Sequence, residues 1–215
     1  HAGLSPRVGN PDAMNEDDCL LISIAGTQAL VDAIGQLEGV MVPRRVVITG
    51  STGYYGLQGG EISRDTPPGQ TERAIAINEM EERFRAWSGP RGVVLRIGGL
   101  YRQGRGPLNA LKTRGTAPLN MAPDRVIPLV HYDDAASACI GALTCESPKP
   151  SYLVVSPPCP TRQEFYMAAC VILELPLPSF GKAAGGMPAT YDVSETLRDL
   201  NYSVEHPKWQ EALVP

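Results

Sequence analysis

This chain is short of the residues that most often mark a chemical centre. Lysine is absent before Lys112, tyrosine is absent between Gly56 and Leu100, and histidine occurs at His1, His131 and His206 alone. No two histidines, and no histidine and cysteine, stand at ligand spacing, so no zinc or iron site is expected. The five cysteines (Cys19, Cys139, Cys145, Cys159, Cys170) are scattered, odd in number and without a C-x-x-C pair. That usage points to buried thiols in a reducing compartment rather than a disulfide framework. There is no basic block: 19 basic against 23 acidic residues leave a net charge of -4, which argues against nucleic acid or an anionic membrane surface as partner. No apolar run reaches bilayer length, and the longest candidate, around Met167–Leu175, is broken by Glu174 and Pro176. No signal-like segment stands near the start, and the first residue is His1 rather than methionine, so a processed or partial chain is expected.

What is present is ordinary globular material. Hydrophobic residues make up 43% and charged residues 20% of 215, enough for one good-sized domain or one and a half. Leu30, Ala33, Ile34 and Leu37 follow helical spacing after Ala25, with Gly39 as the stop. "RRVVITG" and "GVVLRIGGLY" are apolar on consecutive residues, as strands buried on both faces are. Between them a polar helix is expected from Thr71 to about Trp87, with Ala74, Ile77, Met80 and Phe84 inward. "RVIPLVHYDD" reads as an extended segment whose Asp133 or Asp134 caps a helix, with Ala136, Cys139, Ile140 and Leu143 on one stripe. "YLVVS" is a third apolar strand. Thr161–Glu164 forms a capping box, ahead of a helix carried by Phe165, Ala168, Ala169 and Ile172, and a short helix is expected near Ser194–Leu200. Strands alternating with helices predict an α/β protein with a mainly parallel sheet. Residues 1–145 are read as one α/β domain, with short excursions into a small C-terminal lobe and tail of residues 146–215.

Gly50, Gly53 and Gly56 stand at G-x-x-G-x-x-G directly after the strand "RVVIT", the spacing of a dinucleotide loop. Such a loop must open a helix whose free N–H groups face the pyrophosphate. Here "LQGGEISRDTPPGQ" follows instead, and its adjacent prolines and glycines exclude that helix. The stretch is therefore read as a later strand and turn, not as the cofactor loop.

Six stretches in register resemble the extended short-chain dehydrogenase/reductase family, NAD-dependent epimerase/dehydratase type, in its atypical members with an "STG-x-YG" stretch. "HAG" is similar to the family's H-x-A, and "NEDDCLLISIAGTQALVDAI" to its N-V-x-G-T-x-N-L-L-D-A helix. "RRVVITGSTGYYG" resembles R-x-V-x-x-S-S-x-x-V-Y-G, and "GVVLRIGGLYRQGR" resembles x-x-x-L-R-x-x-x-x-Y-G-P-G-R. "VIPLVHYDDAASACIGAL" and "YLVVSPPCPTRQEF" resemble the F-x-H-V-D-D-x-A-x-A and Y-N-V-x-x-x-x-P-x-T-x-x-E segments. The resemblance implies a doubly wound, Rossmann-like sheet of which this chain is the C-terminal part, with a small C-terminal α/β lobe.

It also shows departures. The family's cofactor half precedes its H-x-A, so NAD(P) is expected only where an N-terminal half is supplied, when Ala2 and Gly3 would approach it. The family's Tyr-x-x-x-Lys pair, which trades and steadies a proton, falls at Arg73 and Ile77. A guanidinium binds an oxygen but does not cycle a proton. Ser51 matches the hydroxyl that orients the substrate, as a catalytic remnant. Thr52, Tyr55, Arg73, Arg96 and Tyr101 are implied along the substrate cleft, with Arg96 equally readable as a buried ion-pair partner and Tyr54 as core.

Other motifs are read as structure. His131 is taken as structural, Thr49 rules out a G-x-S-x-G elbow around Ser51, and "FGKAAGG" (180–186) is a connection rather than a phosphate loop. The expected role is a non-catalytic structural or interaction subunit, its open sheet side covered by a protein partner. The alternative is an NAD(P)-dependent epimerase, dehydratase or reductase whose cofactor half is not in this sequence.

Overall fold

The computed structural model describes residues 16–37, 42–107, 122–180 and 188–213, with side chains from Ala25 onward except at Leu30. Ala2, Gly3, the "HAG" motif, Gly39 and residues 181–186 of the expected connection lie outside the described residues. In chain order the elements are α1 (Glu16–Gly35), β1 (Val46–Ser51), β2 (Gly60–Ile62), α2 (Glu72–Ser88), β3 (Gly92–Ile97) and β4 (Gly99–Tyr101). Then follow β5 (Leu129–His131), α3 (Tyr132–Thr144), β6 (Ser151–Val154), α4 (Arg162–Ile172), β7 (Ala189–Tyr191) and α5 (Ser194–Leu200). No described helix is long and apolar enough to cross a membrane.

β1, β3 and β6 form a parallel sheet in that order, with Val46 opposite Gly92 and Leu95 opposite Tyr152. Side chains alternate across a strand, so β3 feeds two cores at once. Val93, Leu95 and Ile97 pack against Ala135, Ala138 and Ala142 of α3, while Val94 packs against Phe84 of α2. Helices thus cover both faces, and the protein is α/β and Rossmann-like. β2 pairs with β7 and β4 with β5, both in parallel.

Several expectations change. β1 is not buried on both faces: Val46 is buried and its other five residues are half-buried, because β3 is its only strand neighbour among the described residues. α1 starts at Glu16 and ends at Gly35, before Leu37. In α2, Ala74, Ile77 and Phe84 turn inward as expected, but Glu81 is also fully buried, whereas Met80 is only partly so. In α3, neither Asp133 nor Asp134 is the cap; His131 is, its Nδ1 accepting from the Asp133 N–H at 3.2 Å. The buried stripe of α3 consists of Asp134, Ala135, Ala138, Gly141 and Ala142, while Ile140 and Leu143 are exposed. Close packing explains this, since a Cβ on Gly141 would stand 2.5 Å from the Leu200 carbonyl oxygen. The capping box at Thr161 and Glu164 forms as expected, as does the α5 helix. In α4, Phe165 and Ala169 are buried with Cys170, and Ile172 is exposed instead.

Candidate functional site

β1 ends in a single 3-10 turn, Thr52–Tyr55, rather than an α-helix. Ser51 caps that turn, its Oγ accepting from the Gly53 N–H at 3.0 Å, which keeps the hydroxyl proton for donation. The Gly56 N–H donates to the Gly53 carbonyl at 3.0 Å, with Gly56 at a φ of 60° that favours glycine. The space in front of these glycines belongs to the chain itself. A Cβ on Gly53 would meet Arg73 Nε at 2.9 Å, and one on Gly56 would meet Gly69 Cα at 3.3 Å. With these two amides satisfied and their space filled, the loop does not fit a dinucleotide pyrophosphate.

Two clefts meet at Ser51. The larger, about 700 Å³, is lined by Ser51, Thr52, Arg73, Arg125, Arg162, Tyr166 and Tyr191, among others. The other, about 600 Å³, shares Ser51, Arg73 and Pro107 and runs past Gly98, Gly99, Arg105 and Tyr132. Among the described residues no acidic one lines the larger cleft, although the whole chain carries -4. Among the described residues, neither Arg125 nor Arg162 has a carboxylate partner. Such an arrangement favours an anionic ligand.

Backbone bonds fix these arginines. The Arg162 N–H donates to the Arg125 carbonyl at 2.8 Å, and the Ile127 N–H to that of Pro160 at 2.8 Å. Arg125 Nη2 also donates to the Gly56 carbonyl at 2.5 Å, tying the segment before β5 to the turn after β1. Burial and the facing Arg162 charge both lower the Arg125 pKa from its ordinary value. Burial is also the main cause pushing Tyr191 up to about 12, so its phenol stays protonated beside these cations.

Ser51, Thr52 and Arg73 therefore stand together at the cleft, and Arg73 lies in the exposed first turn of α2. Tyr55, Arg96 and Tyr101 do not line it. Arg96, 3% exposed, holds Glu81 with Nε and Nη2, the latter at 2.9 Å, and donates from Nη1 to the Tyr55 hydroxyl and the Arg64 carbonyl. Its guanidinium lies over the Tyr54 ring at 3.4 Å. Burial opposes the Arg96 charge, yet Glu81 and Tyr55 hold its pKa above the ordinary value. Tyr101 is fully buried, donating to the His206 carbonyl at 3.0 Å. Each has an interior partner that outweighs cleft exposure.

Sequence reasoning missed Arg125, Arg162, Tyr166 and Tyr191. One signal for Arg162 was available: a cation at the first position of a capped helix opposes the helix dipole, and such placement needs another cause. The other three come from separated segments joined by the fold.

No family model matches the sequence, and no curated protein matches it. Solved structures do match. The human epimerase family protein SDR39U1 (isoform 2), solved with NADPH, is similar over 93% of this chain and 74% of its own, at TM-score 0.73 and 20% identity. UDP-glucuronic acid 4-epimerase from Bacillus cereus, solved with UDP-glucuronic acid and NAD, is similar over 97% of this chain and 69% of its own, at 0.72 and 14%. dTDP-glucose 4,6-dehydratase from Bacillus anthracis, solved with NAD, is similar over 94% and 68%, at 0.70 and 14%. This chain has the Rossmann-like α/β fold of these structures. Within that fold its clefts open at the carboxyl ends of β1 and β3, where parallel sheets hold ligands.

Proposed function

We propose that the chain belongs to an NAD(P)-dependent epimerase, dehydratase or reductase that acts on a nucleotide-sugar type of substrate. The observation that carries this is the larger cleft, where Arg125 and Arg162, neither with a carboxylate partner among the described residues, stand across from Ser51. The anionic part of the substrate would lie between Arg125 and Arg162, and Ser51 would donate to an oxygen near the reacting carbon. Arg73 supplies charge at this position and not a proton, since a guanidinium stays protonated. The turn after β1 does not suit a dinucleotide pyrophosphate, so that part of the coenzyme would rest on other residues. The half-exposed edge of β1 is where further strands, from this protein or a partner, would extend the sheet.

The missing tyrosine and lysine favour a non-catalytic subunit, whereas the likeness to proteins solved with NAD or NADPH supports an active one. Titration calorimetry with UDP-glucuronic acid, alongside turnover in the presence of NAD(H) or NADP(H), separates these. Binding that weakens about tenfold or more in Arg125→Ala and in Arg162→Ala is expected, the loss of a charge-assisted hydrogen bond. Binding without turnover returns the chain to a non-catalytic role. Equal binding by both variants and the parent removes the cleft assignment.

A further inference from the structure

The C-terminal segment after α5 closes over the start of α3, and two histidines distant in sequence meet there. The His131 and His206 rings stack with centroids 3.8 Å apart and planes 26° from parallel. His206 Nδ1 is 2.7 Å from Glu211 Oε2, and its Nε2 is 4.0 Å from Asp133 Oδ2. Asp134, 1% exposed, accepts from the Glu205 N–H at 2.9 Å and the His206 N–H at 3.2 Å. Beyond this knot, Trp209 packs on Phe165 at 5.9 Å, and Ala212 and Leu213 are buried against α4 and β4. None of this was legible from three isolated histidines.

His131, Asp133 and His206 bring possible metal-binding atoms within 4.8 Å of one another. Their geometry does not make a metal centre. A metal bonds along an imidazole lone pair, in the ring plane, and an ion between two stacked rings lies outside both planes. His131 Nδ1 already accepts from the Asp133 N–H, and His206 Nδ1 faces Glu211.

The same arrangement suits a proton. We propose that His206 is a proton-operated clasp that fastens the C-terminal segment to α3, closed when its imidazole is cationic and loosened when it is neutral. Charged and titratable groups reach it from every neighbouring element. Asp133 and Asp134 come from α3 and Glu211 from the segment itself, while the Tyr101 hydroxyl of β4 donates to the His206 carbonyl and His131 stacks between the Tyr101 and His206 rings. The carboxylates dominate this set. The Glu211 hydrogen bond is the first cause of a raised His206 pKa, and the fields of Asp134 and Asp133 add to it.

A raised histidine pKa stabilises the docked form below the unfolded value, near about 6.5, and that stabilisation fades as pH rises through the folded value. Losing the Nε2 proton leaves the Nδ1–H to Glu211 hydrogen bond in place. It removes the charge assistance and the pull of the aspartates. The segment backs α4, which carries Arg162 and Tyr166 into the larger cleft, so proton occupancy at His206 sets how firmly that wall is held.

Trp209 reports the clasp once Trp87 is replaced in a Trp87→Phe protein, and acrylamide, an uncharged quencher, measures how open it is. Quenching should increase from about pH 6 to about pH 8.5, with the undocked fraction rising a few-fold and at most about tenfold per unit of pKa shift. In the same background His206→Gln should give high, pH-independent quenching. Glu211→Gln should move the response to lower pH, whereas a purely structural bond would loosen the segment equally at every pH. Circular dichroism establishes that each variant is folded, and the Glu211→Gln arm decides alone if His206→Gln is not. A response that survives His206→Gln overturns the proposal, as does docking that follows added Zn²⁺ at fixed pH instead of protons.

Discussion

β1 and β3 are neighbouring six-residue parallel strands, paired residue for residue from Val46 with Gly92 to Ser51 with Ile97. Both carry unbroken apolar runs. Every residue of β3 is buried, while in β1 only Val46 is. β3 lies between β1 and β6, with α3 on one face and α2 on the other, whereas β1, with one strand neighbour among the described residues, stays half-open. Consecutive apolar residues therefore report a strand's capacity to be covered on both faces. Whether it is covered depends on which strands stand beside it.

The sharpest way to break this contrast is through the ion pair that β3 alone supports. Arg96 and Glu81 are 3% and 0% exposed, and removing one partner leaves an uncompensated buried charge. Glu81→Gln should cost about 3–5 kcal/mol in urea unfolding. The double change Glu81→Leu with Arg96→Met should recover most of it, because no buried charge remains. A small loss in Glu81→Gln would mean that water, with the Tyr55 hydroxyl and Arg64 carbonyl that Arg96 already meets, solvates the remaining cation, and that β3 is less enclosed than its packing implies.

A matched pair of truncations sharpens the comparison at lower cost. Val94→Ala in β3 removes two buried methyl groups and leaves a cavity, an expected loss of about 2–3 kcal/mol. Val47→Ala in β1 makes the same chemical change at a half-buried position and should cost about 1 kcal/mol or less. Chemical denaturation of both proteins measures the difference directly. Equal losses would show that β1 is as enclosed as β3, as its composition alone suggests.

The parallel sheet, the α2, α4 and α5 helices and the capping box at Thr161 were legible because each rests on local spacing or composition. α3 was misplaced by one face for a physical reason. Its exposed Ile140 and Leu143 outweigh in hydrophobicity the small Ala138, Gly141 and Ala142 that close packing requires. The site divided the same way. Ser51, Thr52 and Arg73 belong to one turn and the helix after it, while Arg125, Arg162 and Tyr191 join them only through tertiary pairing. Arg96 could be read as ion pair or cleft charge until Glu81, fifteen residues away, was seen to hold it.

The smallest effect on stability should come at Ser51, where the edge strand hands over to the cleft. Ser51→Ala removes the acceptor for the Gly53 N–H at the start of a one-turn 3-10 segment. Its register partner in β3 is the buried Ile97, so the substitution leaves the central packing untouched. A cap loss at this single, half-buried turn should cost about 1 kcal/mol. Calorimetric affinity for UDP-glucuronic acid should fall further, by several-fold, if the hydroxyl donates to the ligand. Binding that falls only in proportion to stability would make Ser51 a cap and nothing more, and would leave ligand recognition to the arginines alone.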